Sequence, residues 1–123
     1  MTARSDAIAR LERTEEVSIE TRSPAGTPHR TTIWIVVCDD VPYVASVRGK
    51  RGRWWRELTA AGNGTVIAGR QRMGVRPHRV RSEATKRAVA QAYARKYVGY
   101  GSSLAAMRRE AVLDTTLRLE LTR

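Results

Sequence analysis

The sequence TTIWIVVC at residues 31–38 decides the fold class, because both alternating sets of its side chains are apolar. The two sets are Ile33, Ile35 and Val37 on one face and Trp34, Val36 and Cys38 on the other. A strand with two apolar faces lies centrally or is covered on its outer face by a second subunit. We therefore predict a central strand and a homodimer.

Further elements flank this strand on both sides along the chain. Asp39 and Asp40 predict a hairpin turn, and residues 41–47 predict its second arm. Alternating or β-branched runs predict the other strands, at 17–21, 65–68, 71–80 and 113–122, and helical spacing predicts helices at 5–14, 53–61 and 82–97. About six short strands with helices between them predict a mainly β (α+β) domain, a closed or partly closed barrel. We assign 1–14 to an N-terminal helical segment and 15–123 to a single barrel domain.

Composition limits the classes of function. The chain has 123 residues, enough for one hydrophobic core, and a net charge of +11 that favours anionic ligands. The longest apolar run is too short to span a membrane, and the N-terminal residues lack a continuous apolar leader. With one cysteine, Cys38, and two histidines, we expect no disulfide, no metal site and a cytoplasmic protein.

The segment RGKRGR at residues 48–53 carries four cations and two glycines between a strand and a helix. Glycines let a backbone approach a phosphate, and the amides at a helix N-terminus favour an anion. The segment therefore indicates an anion site, although a solvated basic loop has the same composition. If Arg48 and Lys50 each contact a phosphate, replacing either with alanine should weaken binding by about 1–3 kcal/mol.

Several other side chains are candidate pocket residues. Trp54 is predicted to lie in the core, and core packing is also the favoured role of Trp55, with a position at the border of a pocket or dimer seam as the alternative. The candidate catalytic residues are Tyr43, Glu57, Tyr93 and Tyr97. Tyrosines near the end of a long helix are also common in helix-to-sheet packing, and this alternative stays open for Tyr93 and Tyr97.

Six short segments together resemble a known superfamily. They are RTTIW at 30–34, DDVPYV at 39–44, SVRG at 46–49, RWWR at 53–56, AYARKY at 92–97 and TTLRL at 115–119. They are similar to the deazaflavin-dependent nitroreductase superfamily, and more closely to a small bacterial domain family placed near it. The resemblance extends over most of residues 15–121.

The resemblance implies a split β-barrel, commonly dimeric, that binds FMN or coenzyme F420 in a groove near the subunit seam. Positions 30–33 would lie beside the flavin-type ring, and Ser46 with the segment that follows it would lie near the phosphate and ribityl chain. The full set of implied cofactor-binding residues is Arg30, Thr31, Thr32, Ile33, Trp34, Ser46, Arg48, Gly49, Lys50, Arg53, Trp54 and Trp55.

Two departures from the superfamily pattern generate a second hypothesis. Ile33-Trp34 stands where the superfamily usually has a proline-leucine pair, and Trp34 could occupy the space of the ring. Glu57 stands where the superfamily usually has an asparagine. The leading hypothesis is an oxidoreductase that binds FMN or F420 and acts on a small organic substrate. The alternatives are a barrel that has lost its flavin and binds or transforms another anionic or aromatic metabolite, and a module that binds nucleic acid non-specifically through its charge.

Overall fold

The computed structural model describes residues 3–122, which form one seven-stranded antiparallel sheet and five α-helices. The strands are β1 (Glu16–Arg22), β2 (Pro28–Trp34), β3 (Val36–Cys38), β4 (Val41–Val44), β5 (Gly64–Ala68), β6 (Gln71–Arg79) and β7 (Leu117–Leu121). The helices are α1 (Ala3–Arg13), α2 (Arg53–Ala61), α3 (Glu83–Lys96), α4 (Gly101–Met107) and α5 (Glu110–Leu113), with single 3-10 turns at Gly49–Arg51 and Val98–Tyr100. No helix within residues 3–122 is long and apolar enough to cross a bilayer.

The strand order across the sheet is β2-β1-β5-β6-β7-β4-β3. The two outermost strands, β2 and β3, are neighbours in sequence and are separated only by Ile35. Ile33 and Ile35 nevertheless pack in one core cluster, so the sheet is curled into a half-barrel. The chain passes from one edge of the sheet to the other at Ile35.

The backbone amide and carbonyl of Ile35 lie outside the strand ladder. They bond instead to the side chains of Lys96, the last residue of α3, and Tyr97, which follows it. The Ile35 amide donates to the Tyr97 hydroxyl at 3.1 Å, and the Lys96 ammonium donates to the Ile35 carbonyl at 2.7 Å. The Tyr97 hydroxyl also lies 2.5 Å from the Glu15 carbonyl, and Lys96 donates to the Leu11 carbonyl at 3.0 Å. These bonds satisfy buried backbone groups that would otherwise be unpaired.

Two core clusters lie on opposite sides of the crossing segment. One fills the barrel and includes Ile33 and Ile35, and the other lies between the β3–β4 hairpin and helix α3 and includes Val36 and Tyr93. Burial of both faces of 31–38 is therefore confirmed, since the two faces enter different cores, but β2 and β3 lie at the two edges of the sheet and not at its centre as predicted. The face formed by Trp34, Val36 and Cys38 is covered by α3 of the same chain, so the apolar character of that face gives no support for a dimer.

Three expectations about the strands were wrong. Residues 31–38 form two strands that pair with different partners, which makes seven strands where six were predicted. At the other end, residues 113–116 are not strand, because α5 ends there in a turn. The Thr115 amide donates to the Val112 carbonyl and the Thr116 amide to the Leu113 carbonyl. Only residues 117–121 continue as β7.

The local signals at turns and helix ends were confirmed. Asp39 and Asp40 both have positive φ, as a two-residue hairpin requires, and Cys38 pairs with Val41. Helix α2 ends at Gly62 in the left-handed conformation, and the Ser82 hydroxyl accepts the Thr85 amide at the start of α3.

Candidate functional site

A groove of about 840 Å³ opens between the end of β2, the segment after β4, the start of α2, and α4. Its apolar and aromatic lining residues are Ile33, Trp34, Ala45, Val47, Trp54, Tyr100, Ala106 and Met107. Its polar and charged lining residues, with one glycine, are Glu16, Thr31, Thr32, Ser46, Arg48, Gly52, Arg53, Ser102 and Ser103. An apolar wall with a few convergent polar groups is the usual composition of a small-molecule site.

Eight of the twelve predicted cofactor-binding residues line this groove. They are Thr31, Thr32, Ile33, Trp34, Ser46, Arg48, Arg53 and Trp54. They come from three separate stretches of sequence, which the curled sheet and the turn before α2 bring together.

The other four lie outside the groove. The Arg30 guanidinium donates to Glu20 at 3.1 Å on the exposed face of β2, and Lys50 is exposed. Gly49 faces a second hollow. Trp55 is buried in the barrel core, where its indole nitrogen donates to the Thr115 carbonyl at 2.8 Å. Core packing is thus confirmed for both tryptophans, and Trp54 borders the groove as well.

Trp34 forms a wall of the groove and does not fill it. Its ring stacks on Tyr97 with centroids 4.0 Å apart and an interplanar angle of 4°, and it meets the edge of Tyr100 at 5.2 Å. These contacts hold the indole against α3 and the turn that follows it. Space for a planar ring therefore remains beside Trp34.

Two successive turns shape the segment between β4 and α2. The Gly49 amide donates to the Ser46 carbonyl at 2.8 Å, and the Gly52 amide donates to the Gly49 carbonyl at 3.2 Å. Gly49 has a φ of 66°, a conformation that favours glycine. The Ser46 amide donates to the Thr115 hydroxyl at 2.8 Å, so the turn after α5 anchors the start of this segment.

Replacing Gly52 with alanine should destabilise the protein by about 1–3 kcal/mol, because an added Cβ would overpack this turn. That Cβ would lie 2.3 Å from the buried Ser46 hydroxyl oxygen. Urea unfolding measures the effect. Gly99→Ala is the matched control, since nothing lies within 4 Å of a Cβ there. Equal stability of the two variants would contradict the packing shown at Gly52.

Positive charge at the groove is not neutralised by ion pairs. None of the ion pairs among residues 3–122 includes Arg48 or Arg53. Helix α2 begins beside them at Gly52 with no side-chain cap, which leaves the first amides of the helix available to an anion. Glu16 is the single carboxylate in the lining. This end of the groove can therefore bind a phosphate or carboxylate group.

The three candidate catalytic tyrosines do not line the groove. Tyr93 and Tyr97 are fully buried in the outer core, and burial raises the pKa of each hydroxyl. Tyr43 packs against the same cluster from β4, and burial raises its pKa as well. The geometry gives Tyr97 a structural role at Ile35 and places none of the three in the groove.

Glu57 lies outside the groove, in a partly buried polar cluster that joins α2 to the sheet. Its carboxylate accepts the Thr21 hydroxyl at 2.8 Å and approaches the His29 Nδ1 at 3.0 Å. Burial raises the pKa of Glu57, but the hydrogen bonds from Thr21 and His29 lower it by more, so the pKa lies below its ordinary value of 4.5. Glu57 thus joins α2 to β1 and β2, and it does not line the groove.

Acid should therefore destabilise the native protein partly through Glu57. Because its pKa is lower in the folded chain, the stabilisation is present above pH 4.5 and is lost as the pH falls through the folded value. Between pH 7 and pH 3, the free energy of unfolding should fall further in the native protein than in Glu57→Gln. Urea titrations at each pH test this, with the exposed Glu110→Gln as control. Parallel curves for native protein and Glu57→Gln would contradict it.

Helix α4 supplies part of the groove, although the sequence placed no site residue in it. It begins at Gly101 and places Ser102, Ser103, Ala106 and Met107 in the lining. The adjacent Tyr100 hydroxyl donates to the Glu15 carboxylate at 2.9 Å. The available signal was the run of two serines and two alanines in 102–106, which is compatible with a short exposed helix.

Similarity to solved structures identifies the class of fold. The conserved hypothetical protein Rv2991 of Mycobacterium tuberculosis aligns with a TM-score of 0.69 and 14% identity, over 100% of this chain and 82% of that chain. A pyridoxamine 5′-phosphate oxidase-like protein of Listeria innocua gives 0.64 and 12%, over 98% and 93%. An F420 reductase gives 0.60 and 17%, over 94% and 92%. The chain shares the fold of these solved structures, and its curled antiparallel sheet is that of a split barrel.

Sequence comparison then assigns the family. Residues 7–119 match the family described as "Uncharacterized protein conserved in bacteria (DUF2255)", and the chain belongs to this family. This family match confirms the resemblance noted from the six segments to a small bacterial domain family. No curated protein matches the chain.

Proposed function

We propose that the protein binds FMN or coenzyme F420 in the groove and acts as an oxidoreductase on a small organic substrate. The observation that carries this proposal is one concavity that combines an aromatic and apolar wall with two guanidinium groups, those of Arg48 and Arg53, which make no ion pair in the described chain. A flavin-type cofactor has the matching chemistry, a planar ring joined to a phosphate. The volume of about 840 Å³ is within the range of small-molecule sites.

The residues of the groove fit such a cofactor. Ile33, Trp34 and Trp54 would hold a flat ring and exclude water, while the hydroxyl groups of Thr31 and Thr32 offer hydrogen bonds to its polar edge. Arg48, Arg53 and the first amides of α2 would hold the phosphate. When bound, the cofactor would supply hydride transfer at its ring, while the protein positions and orients it.

The position of Trp34 favours this proposal over a barrel that has lost its flavin. That alternative depended on an indole occupying the space of the ring. The stack of Trp34 on Tyr97 keeps the indole at the wall, and the groove remains open beside it. An F420 reductase and a pyridoxamine 5′-phosphate oxidase-like protein among the structural neighbours also support a cofactor of this type.

Binding is tested on the purified protein. We expect a flavin or deazaflavin absorbance band in protein from a host that makes both cofactors, and saturable binding of FMN or F420 in a fluorescence titration. Colourless protein that binds neither cofactor would refute the proposal.

We also propose that the protein is a homodimer with the groove near the subunit seam. Val47 and Tyr100 are 48% and 43% exposed at the rim of the groove, and Val98 beside Tyr100 is 77% exposed. Large apolar side chains exposed together favour a protein contact. Sedimentation velocity at moderate salt should give twice the chain mass, and Val98→Asp should shift the protein toward the monomer. A monomer at all concentrations would contradict the proposal.

A further inference from the structure

A second concavity adjoins the groove and has a different composition. It has a volume of about 730 Å³ and shares Val47 and Arg48 with the groove. Its lining residues are Val47, Arg48, Gly49, Arg51, Arg109, Ala111 and Val112, and we call it the arginine hollow. Three of the seven side chains carry a guanidinium group and none carries a carboxylate.

The guanidinium groups of the arginine hollow have no acidic partner. No ion pair within residues 3–122 includes Arg48, Arg51 or Arg109, and the bond that Arg109 makes is from its Nε to the Ala106 carbonyl at 3.3 Å. Like charges around one concavity repel one another, and a bound anion removes that repulsion. Guanidinium groups bind carboxylates and phosphates in a bidentate manner.

The backbone that carries these arginines is fixed by packing and hydrogen bonds. The 3-10 turn Gly49–Arg51 packs against α5, where a Cβ on Gly49 would lie 3.7 Å from the Ala111 carbonyl. The Arg109 carbonyl accepts the amides of Val112 and Leu113 at 3.0 and 2.9 Å. The two sides of the arginine hollow therefore come from segments held against each other, and only the side chains must reorganise when an anion binds.

Arg51 and Arg109 do not line the groove, so their charge is not used by a ligand confined to it. We propose that the arginine hollow binds the carboxylate or phosphate group of a second small molecule, next to the ligand in the groove. This inference rests on the function proposed above, and it assigns a substrate with a carboxylate or phosphate group to the enzyme. Arg48 lies between the two sites, and Arg51 and Arg109 determine which substrate is accepted.

Isothermal titration of the full chain with citrate and with pyrophosphate in 50 mM salt tests the anion site. We expect the double variant Arg51→Gln with Arg109→Gln to weaken binding of either anion by at least about tenfold, the effect of losing charge-assisted hydrogen bonds. The matched control is Arg70→Gln with Arg87→Gln, which removes the same charge from exposed positions outside both concavities. Equal weakening in the two double variants, or no binding to the native protein, would overturn the proposal.

A second titration separates the site from the groove. Citrate is titrated into protein saturated with FMN or F420, whichever binds. Unchanged citrate affinity supports a separate ligand, whereas displacement of citrate by the cofactor means that one ligand spans both concavities and overturns the separate site. If neither cofactor binds but citrate binding still depends on Arg51 and Arg109, the proposed cofactor is wrong and the anion site stands.

Discussion

Replacing Tyr97 with phenylalanine should lower the free energy of unfolding by about 2–4 kcal/mol, because two buried backbone groups lose their partner. The Tyr97 hydroxyl accepts the Ile35 amide and bonds the Glu15 carbonyl, and the side chain is fully buried. Phenylalanine keeps the ring and its stack on Trp34 but leaves both backbone groups without a hydrogen bond. Urea unfolding followed by tryptophan fluorescence measures the loss.

Tyr100→Phe is the matched control for this result. It also removes one tyrosine hydroxyl that bonds Glu15, but that bond goes to the exposed carboxylate rather than to the backbone. An exposed hydrogen bond of this kind is worth less than about 0.5 kcal/mol. Equal stability of the two variants would show that the hydrogen bonds of the Tyr97 hydroxyl to the Ile35 and Glu15 backbone do not stabilise the fold.

Removing both arginines of the groove should abolish most cofactor affinity. Each charge-assisted hydrogen bond to a phosphate is worth about 1.5–3 kcal/mol, so Arg48→Ala with Arg53→Ala should raise the Kd for FMN or F420 by at least about 100-fold. Fluorescence titration at a fixed salt concentration measures it. Stability should change little, because neither side chain makes an ion pair in the described chain.

The control for that variant is Lys50→Ala with Arg70→Ala. Both of these cations are exposed and neither lines the groove, so the control removes the same charge without touching the site. Of the predicted cations Lys50 and Arg53, only Arg53 lines the groove. Equal loss of affinity in the two double variants would mean that only the overall positive field attracts the ligand.

Local sequence signals predicted most of the helices, strands and turns. The features that they did not predict depend on hydrogen bonds between residues far apart in the sequence. The hairpin at Asp39-Asp40 and the end of α2 at Gly62 depend on residues within a few positions, and both were confirmed. The break at Ile35 depends on Lys96 and Tyr97, about sixty residues later. Nothing in residues 31–38 marks that break, because Ile35 is as apolar as its neighbours.

The candidate site likewise has features that local sequence signals predicted and features that depend on distant residues. Glycine spacing and charge in residues 48–53 located the cationic end of the groove, because a turn before a helix is a local feature. The same reasoning did not separate Arg48 and Arg53 from Lys50, since which cation lines the groove depends on the turn geometry at Gly49 and Gly52. Thr115 was expected in a strand, yet its hydroxyl bonds Ser46 and its carbonyl bonds Trp55. Those partners lie sixty or more residues away.

The position of β7 has a consequence for biosynthesis. The last strand lies between β6 and β4, so the β3–β4 hairpin joins the rest of the sheet only through it. A nascent chain emerging from the ribosome therefore exposes an incomplete sheet until residues 117–121 have left the exit tunnel. Pairings of such large sequence separation slow folding, so completion of the sheet should be a late step in the folding of this chain.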